Sequence, residues 1–569
     1  MRSFSLILLL MSVIRLYGQA VAPAYRMPVD LPLHLSGTFA EFRADHFHSG
    51  IDIRTGGVEG HPVYAIADGY VSRVVVSPVG FGKAVYIDHP ATGHASVYAH
   101  LQRFAPPINK YVRDEQYRQE RFAVNLNPEA NLLPVKKGMI IGYSGNSGSS
   151  GGPHLHFEIR DAATQHILNP MAFGFAMVDT QAPIITRMAV YPEAVNALVQ
   201  GKGKAFVLNP VQVKGVYVLP EDRPVRAGGP ISFGLGAYDQ SQGSTGRNGV
   251  YSMELFIDSL QFFTFRADRF SFDDTRFVNS LTDYGFNFRH KSRIIRTKRD
   301  PYNRLRFLAT YHRQDGVFVP EPGRTYSLRW TVADFAGNKA ELRFSLIGEE
   351  PSAVALTDST AGGPLLKAGR QHVINGQGFT AVIPDNALYR DENISASVSA
   401  SKNYLSDRLN LGHGGIPLHV AASIAIEPYK TTIPNDKLLI VRIEEGKDPT
   451  PLQSSFENGR VKASSRVLGT FAVMADTLAP RLKPLNFTSG RLPDTLKTLR
   501  IEVKDDLSGI ASIRPTLNDR WILMGHDPKN NLLVYELDDR MRKGSNTLRV
   551  VVTDNAGNSR TLKLQLEKP

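Results

Sequence analysis

Two histidines separated by one residue, in Pro153-His154-Leu155-His156-Phe157-Glu158-Ile159, carry the strongest chemical signal in this chain of 569 residues. The apolar residues alternate with polar ones, which predicts a strand whose Leu155, Phe157 and Ile159 face a core while His154, His156 and Glu158 share the opposite face. Neutral imidazole is the commonest side-chain ligand of zinc, so two of them on one face of a rigid strand make half a metal site, and either could be the ligand. The other half lies upstream in Asp45-His46-Phe47-His48-Ser49-Gly50-Ile51-Asp52, where His48 and Asp52 flank a turn at Gly50. His48, Asp52 and one histidine of the pair supply three ligands and leave a fourth position open, the arrangement of catalytic rather than structural zinc. A closed structural site would more often use thiolates, and the sequence has no cysteine.

An isolated HxH is more often a hydrogen-bonded polar pair than a ligand pair. A third element changes its meaning: in Ser96-Val97-Tyr98-Ala99-His100-Leu101, Val97, Ala99 and Leu101 alternate with Tyr98 and His100, so another strand offers a polar histidine. Taken in order, the motifs resemble the lysostaphin-like (LytM-type) zinc metallopeptidases over roughly residues 33–175. The residues concerned are His48-Ser49-Gly50-Ile51-Asp52, the pair Gly60-His61-Pro62-Val63-Tyr64-Ala65 and Asp68-Gly69-Tyr70-Val71, and Tyr98-Ala99-His100-Leu101. Lys137-Gly138-Met139-Ile140-Ile141-Gly142, Ser144-Gly145-Asn146-Ser147-Gly148 and Gly152-Pro153-His154-Leu155-His156-Phe157-Glu158 complete the series. The resemblance implies that His48, Asp52 and His156 hold Zn2+, while His154 and His100 act beside it as catalytic residues. Zinc with an open position polarises a scissile carbonyl and lowers the pKa of bound water. His154 is then the expected proton acceptor, with His100 steadying the oxyanion or sharing the proton transfers.

Two stretches around these motifs lack chemistry of their own. Residues 109–134, rich in charged and amide side chains, are expected to be a surface excursion on the rim of the groove. The glycines of residues 142–152 lack the GK[ST] ending of a phosphate loop and open into a strand, so they are expected to let backbone approach an extended peptide substrate.

The N-terminus and the composition predict an exported protein. Met1-Arg2-Ser3 followed by the short apolar run 4–14, with small residues Gly18 and Ala20, predicts a signal peptide over residues 1–20. The run is too short to span a membrane, and no other apolar run approaches that length. Without cysteines there are neither disulfides nor a lipid anchor through an N-terminal cysteine. A net charge of +12 favours an anionic polymer, which for an exported enzyme is first of all the cell wall. No helix-turn-helix, zinc finger or arginine-rich tract supports nucleic-acid binding.

A chain of this length needs several cores. Asp179-Thr180-Gln181-Ala182-Pro183 recurs as Asp476-Thr477-Leu478-Ala479-Pro480, and Val332-Ala333-Asp334-Phe335-Ala336-Gly337-Asn338 recurs as Val552-Thr553-Asp554-Asn555-Ala556-Gly557-Asn558. Asp239 and Asp505 end matching strands between these brackets. Short alternating strands punctuated by Asp, Gly and Asn predict β-sandwiches, and the closing turn resembles bacterial immunoglobulin-like modules. The expected fold is therefore mainly β: a LytM-type antiparallel β-sheet peptidase domain at 21–178, an immunoglobulin-like β-sandwich with an insertion at 179–350, a β-rich domain of unknown role at 351–475, and an immunoglobulin-like β-sandwich at 476–569. The insertion, about 266–316, carries a basic stretch around Arg289-His290-Lys291 and Arg296-Thr297-Lys298-Arg299, expected as a solvated face or a wall-binding surface. The expected function is an exported zinc metalloendopeptidase, periplasmic or envelope-associated, cutting peptidoglycan cross-links or stem peptides. A non-catalytic activator of another wall hydrolase and a zinc endopeptidase for extracellular proteins are the alternatives.

Overall fold

The computed structural model describes residues 25–175, 177–241, 246–353 and 362–569, so the signal peptide expected over 1–20 lies outside the described residues. The chain is mainly β, as its alternating patterns predict. The N-terminal sheet runs in the spatial order Leu35–Gly37, Ile51–Arg54, His154–Asp161, His94–Ala99, Lys83–His89, Gly69–Val76, Val124–Leu126, each strand antiparallel to its neighbour. Leu155, Phe157 and Ile159 are fully buried on one face. Register does the positioning on the other: His156 pairs with Asp52 on one side and with Ala99, the residue before His100, on the other. A slip of one residue would turn both histidines of the pair into the core, so the apolar alternation that fixes the register also fixes the site.

Residues 109–134 are not the plain surface excursion that their polarity suggests. Pro106 and Pro107 start a helix, Pro106–Gln119, whose buried Ile108, Val112 and Gln116 recur every fourth residue, and which stops at Glu120 with φ 46°. Beyond it, Val124–Leu126 and Pro134–Val135 both pair with Gly69–Val76 and extend the sheet.

Residues 184–349 form two sheets, of four and nine strands. Their core is continuous with that of the N-terminal sheet: one hydrophobic cluster runs from Val29 through Phe157 to Leu346. Arg269–Phe270 pairs with Ile167–Leu168 of the N-terminal sheet, and Phe270 packs on Phe39 and Phe47 at ring-centroid distances of 5.2 and 5.5 Å. The position 178 thus divides sequence motifs but not hydrophobic cores. The reason is local: the segment leading to His48 carries Phe39, Phe42 and Phe47, against which Phe265 and Phe270 of the next module pack.

Residues 365–475 build two five-stranded sheets and a two-stranded one with their own core, and residues 481–568 build a four- and a five-stranded sheet with a third. The last unit returns to the first. Arg113 pairs with Asp538 at 2.6 Å and Arg514 with Glu120 at 2.8 Å, Tyr117 stands edge-on to Trp521, and Lys529 donates to the carbonyls of Asn146 and Ser150. Among the described residues no helix is long and apolar enough to cross a membrane.

Candidate metal centre

His48 sits at the end of a tight turn in which its N–H donates to Glu41 O at 2.8 Å and its carbonyl accepts from Ala40 N at 2.9 Å. Two residues on, a Cβ at Gly50 would lie 2.3 Å from Phe157 O, so only glycine lets this segment approach the central strand. The His48 ring is oriented by a backbone acceptor: Nδ1 lies 2.8 Å from Thr38 O, and since a carbonyl only accepts, Nδ1 carries the hydrogen and Nε2 is left as a bare lone pair. His156 is oriented in the same way by a carboxylate. Its Nε2 donates to Glu158 Oε1 at 3.0 Å and its Nδ1 turns to Asp52. Glu158 is itself clamped by Arg160, whose Nε lies 2.7 Å from Oε2.

The three inward atoms converge. His48 Nε2 lies 3.1 Å from Asp52 Oδ1 and 3.1 Å from His156 Nδ1, and His156 Nδ1 lies 2.9 Å from Asp52 Oδ1. Two ring nitrogens and a carboxylate oxygen at such separations need positive charge among them, either protons on the imidazoles or a cation in their place. The donor set, with the outer nitrogen of each imidazole already hydrogen-bonded, fits a divalent metal. His48, Asp52 and His156 are all buried.

The electrostatics make the same demand for positive charge. Burial works against the charge on Asp52, yet His48, His154 and His156 outweigh it and hold the carboxyl well below the carboxylate range. Burial also opposes ionisation of Glu158, but Arg160 and His156 keep it down at about 2. His156 is lifted to about 9, because Asp52 and Glu158 overcome its desolvation. His100 goes the other way: burial, then the neighbouring His156 and His154, push it down to about 3, so it is a neutral imidazole.

His154 and His100 stand beside the three. His154 Nδ1 faces Gly152 O at 2.8 Å and its Nε2 lies 3.5 Å from Asp52 Oδ1; His100 Nδ1 faces Ser147 O at 2.9 Å, with its ring centroid 4.8 Å from that of His154. His100 takes φ 59°, a left-handed conformation uncommon for a side-chain-bearing residue, directly after its strand. All five residues singled out in the sequence, His48, Asp52, His100, His154 and His156, are therefore brought together. Three further ones were not singled out. Glu158 and Arg160 continue the polar face of the His156 strand, a signal the alternation does contain. Arg43, which donates to Asp52 Oδ2 at 3.0 Å, leaves no local trace.

The glycines of the 142–152 loop divide into two groups. A Cβ on Gly145 would lie 2.2 Å from Gln102 N, and one on Gly148 would lie 2.4 Å from Gly80 O, so these two serve the packing of loop on loop rather than approach by a substrate. Gly151 and Gly152 have nothing within 4 Å and leave the loop open beside His154. On the outer side of Ile51–Arg54 a cavity of about 610 Å3, lined by His34, Arg54, Thr55, Val58 and His61, adjoins the register partner of His154.

Residues 46–117 match peptidase family M23, and residues 364–476 match the Zu5-like domain. Over 113 residues the chain is 35% identical to the DD-carboxypeptidase/endopeptidase Mpg of Neisseria meningitidis serogroup B, a match covering 20% of each chain. Over 111 residues it is 34% identical to an uncharacterized metalloprotease of Haemophilus influenzae, covering 20% of this chain and 18% of that one. The match thus spans about a fifth of the length of these curated relatives. The catalytic domain of the antimicrobial peptidase lysostaphin from Staphylococcus simulans is 25% identical, with 24% of this chain and 87% of that chain covered at a TM-score of 0.18. The N-terminal part of the chain carries a peptidase domain of the M23, LytM-type family.

Proposed function

We propose that this chain, with its M23 domain, is an exported zinc metalloendopeptidase that hydrolyses peptide bonds in peptidoglycan cross-links or stem peptides. The observation that carries the proposal is the convergence of His48 Nε2, Asp52 Oδ1 and His156 Nδ1 within 3.1 Å, each imidazole having already given its other N–H away. Two imidazoles and one carboxylate around an open position suit zinc. Bound there, zinc supplies Lewis-acid polarisation of the scissile carbonyl and acidifies water.

The remaining work belongs to the chain. His154 and His100 each have Nδ1 tied to a backbone carbonyl, so each presents a bare Nε2 and enters the reaction as a proton acceptor. His154, nearer Asp52, takes the proton of the attacking water. His100 donates to an oxyanion or a leaving nitrogen only after it has itself taken up a proton. Arg43 and Arg160 hold the two carboxylates in place, and Phe81, 5.0 Å from the His156 ring, screens it from water. The complete set of five residues speaks against a silent regulator. The peptidoglycan substrate is supported by the likeness to the DD-carboxypeptidase/endopeptidase of Neisseria and by the positive net charge.

Digestion of purified sacculi by the zinc-loaded full chain, with mass spectrometry of the released fragments, tests the substrate; sacculi left intact while a protein substrate is cut would overturn it. About one zinc per chain is expected, lost in His156→Ala and retained in His154→Ala and His100→Ala, both of which lose roughly 100-fold or more in rate. Zinc retained by His156→Ala would refute the ligand assignment. Export is tested by the N-terminus of the protein recovered outside the cytoplasm, expected to lack residues 1–20.

A further inference from the structure

At the junction of the peptidase sheet and the first module, Asp179, Asp239 and Asp334 place one carboxylate oxygen each within 4.8 Å of one another. All three side chains are buried, with exposures of 8%, 3% and 3%. Asp334 is satisfied, its Oδ1 accepting from the N–H groups of Gly337 and Asn338 and its Oδ2 from Asn338 Nδ2. The other two are satisfied only in part: Asp179 Oδ1 accepts from Gln181 N and Asp239 from the N–H of Gln240, but Asp179 Oδ2 and Asp239 Oδ1 are buried oxygens without a hydrogen-bond partner. Besides burial, the strongest influences on the Asp239 carboxyl are the like charges of Asp334 and Asp179, which push it up to about 7.

A further observation comes from the strand segment directly opposite Asp239. Asn248 and Asp239 exchange backbone hydrogen bonds at 2.8 and 2.9 Å, a directly opposed antiparallel pair whose side chains stand on the same face. Asn248 is 3% exposed, its Nδ2 is spent on Ser241 Oγ, and its Oδ1 is buried with no partner. Buried unpaired acceptors are rare because nothing replaces the water they lose, so buried oxygens gathered without a donor favour a cation among them. The donors are all oxygen, from carboxylates and an amide, which suits a hard divalent ion and not zinc.

We infer that Asp179, Asp239, Asp334 and Asn248 form a calcium site at the root of the first module. The last module supplies an internal contrast. Asp476, Asp505 and Asp554 form the corresponding cluster, but Asp476 accepts from Leu478 N and Ser508 N, Asp505 from Leu507 N and Gly509 N, and Asp554 from Ala556 N and Asn558 N. No carboxylate oxygen there is buried without a partner, so that cluster is neutralised by backbone and is not part of the assignment. The first site also bears on the peptidase. Gly249, next to Asn248, accepts from Thr38 Oγ1 at 3.0 Å, and the carbonyl of the same Thr38 orients His48. A cation at Asp239 therefore pins the turn on which that carbonyl rests.

The test uses the full chain, stripped of metals, reloaded with zinc and titrated with calcium chloride by calorimetry, with thermal unfolding followed in parallel. A saturable event is expected, accompanied by a rise in the unfolding midpoint, abolished or weakened at least about tenfold in Asp239→Asn and kept in Asp505→Asn. The midpoints should cross: without calcium Asp239→Asn unfolds at a higher temperature than the parent, because one of the repelling charges is gone, and with calcium at a lower one. Absence of any calcium effect in the parent, or binding that survives Asp239→Asn, overturns the site. So does a variant less stable than the parent in both buffers by the same amount. Asp179→Asn carries the same crossing test should Asp239→Asn fail to fold.

Discussion

The first and last modules share a local design and differ in what surrounds it. In both, the asparagine that closes the final turn donates to the aspartate four residues before it and to the main chain of the opening segment: Asn338 to Asp334 at 2.7 Å and to Asp179 O at 3.1 Å, Asn558 to Asp554 at 2.8 Å and to Asp476 O at 3.0 Å. The same short motifs produce the same wiring because every partner lies inside the module. The outer faces diverge. The insertion of the first module brings Phe270 into the peptidase core, whereas the last module meets the peptidase domain largely through Arg113, Glu120, Lys529 and the Tyr117 ring. Repeated motifs therefore predict how a module closes on itself, and covered apolar area decides what it is coupled to.

The largest consequence of that difference is for truncation. Cutting near residue 178 uncovers the buried Phe39 and Phe47 and the half-buried Phe42, and loss of contact for the two buried aromatics costs about 3–5 kcal/mol each, together comparable with the whole stability of a domain. The 21–178 fragment should show no cooperative calorimetric transition, while the peptidase domain and the first module of the full chain should melt together. A fragment that melts sharply with its metal bound would erase the distinction between the modules.

Next in size is Glu193→Gln. Glu193 is buried between Arg296 and Lys298, each 2.6 Å away, so its removal strands buried positive charge at about 3–5 kcal/mol. Burial opposes its ionisation, but Arg296 and Lys298 hold the carboxyl below its ordinary 4.5. A depressed folded-state pKa contributes stability above the unfolded value that is lost as the pH falls through the folded one. Urea unfolding should therefore show the parent losing stability below about pH 4.5, with the acid slope reduced in Glu193→Gln; equal slopes would show that this pair does not tie the first module together.

The asparagine pair gives a sharper, smaller comparison. Asn338→Ala and Asn558→Ala each remove equivalent bonds worth about 1–3 kcal/mol, yet Asn338→Ala should lower the transition shared with the peptidase and Asn558→Ala only that of the last module. If both variants shift one and the same transition, the chain is a single cooperative unit. Smallest of all is Arg113→Ala, an exposed pair partner worth under about 1 kcal/mol. It should leave every midpoint unchanged but speed hydrogen exchange in residues 106–119; a shift of several degrees would mean that the last module is docked as firmly as the first.

Much of the metal centre was legible because its residues lie on one regular strand and in two short turns. The alternation over 154–159 fixes which faces meet, and register with residues 51–54 and 94–99 does the rest. What escaped depends on distant partners. Arg296 sits in a basic stretch that suggests solvent, but it is buried against Glu193, 103 residues away, and no local pattern announces that. The Thr38 carbonyl that orients His48 is backbone, which carries no side-chain signature. The helix Pro106–Gln119 was hidden by its polar surface, since only Ile108, Val112 and Gln116 are buried and the two prolines at its start are equally common in loops. The glycines at 145 and 148 were visible, but what they approach, Gln102 and Gly80, was not.

The return of the last module to the peptidase domain makes their contact intramolecular across 425 residues of chain, from Arg113 to Asp538. Two surfaces joined by a tether meet at an effective concentration of up to about millimolar order, so pairs too weak to hold free partners together suffice to keep these docked. The same arithmetic makes the contact conditional. A single proteolytic cut in a linker between them removes the tether's contribution without touching either surface, and a freed last module is lost to dilution. Lys529 then leaves the carbonyls of Asn146 and Ser150, on either side of the residue that orients His100, so the integrity of a distant linker becomes a property that the loop beside His100 can sense.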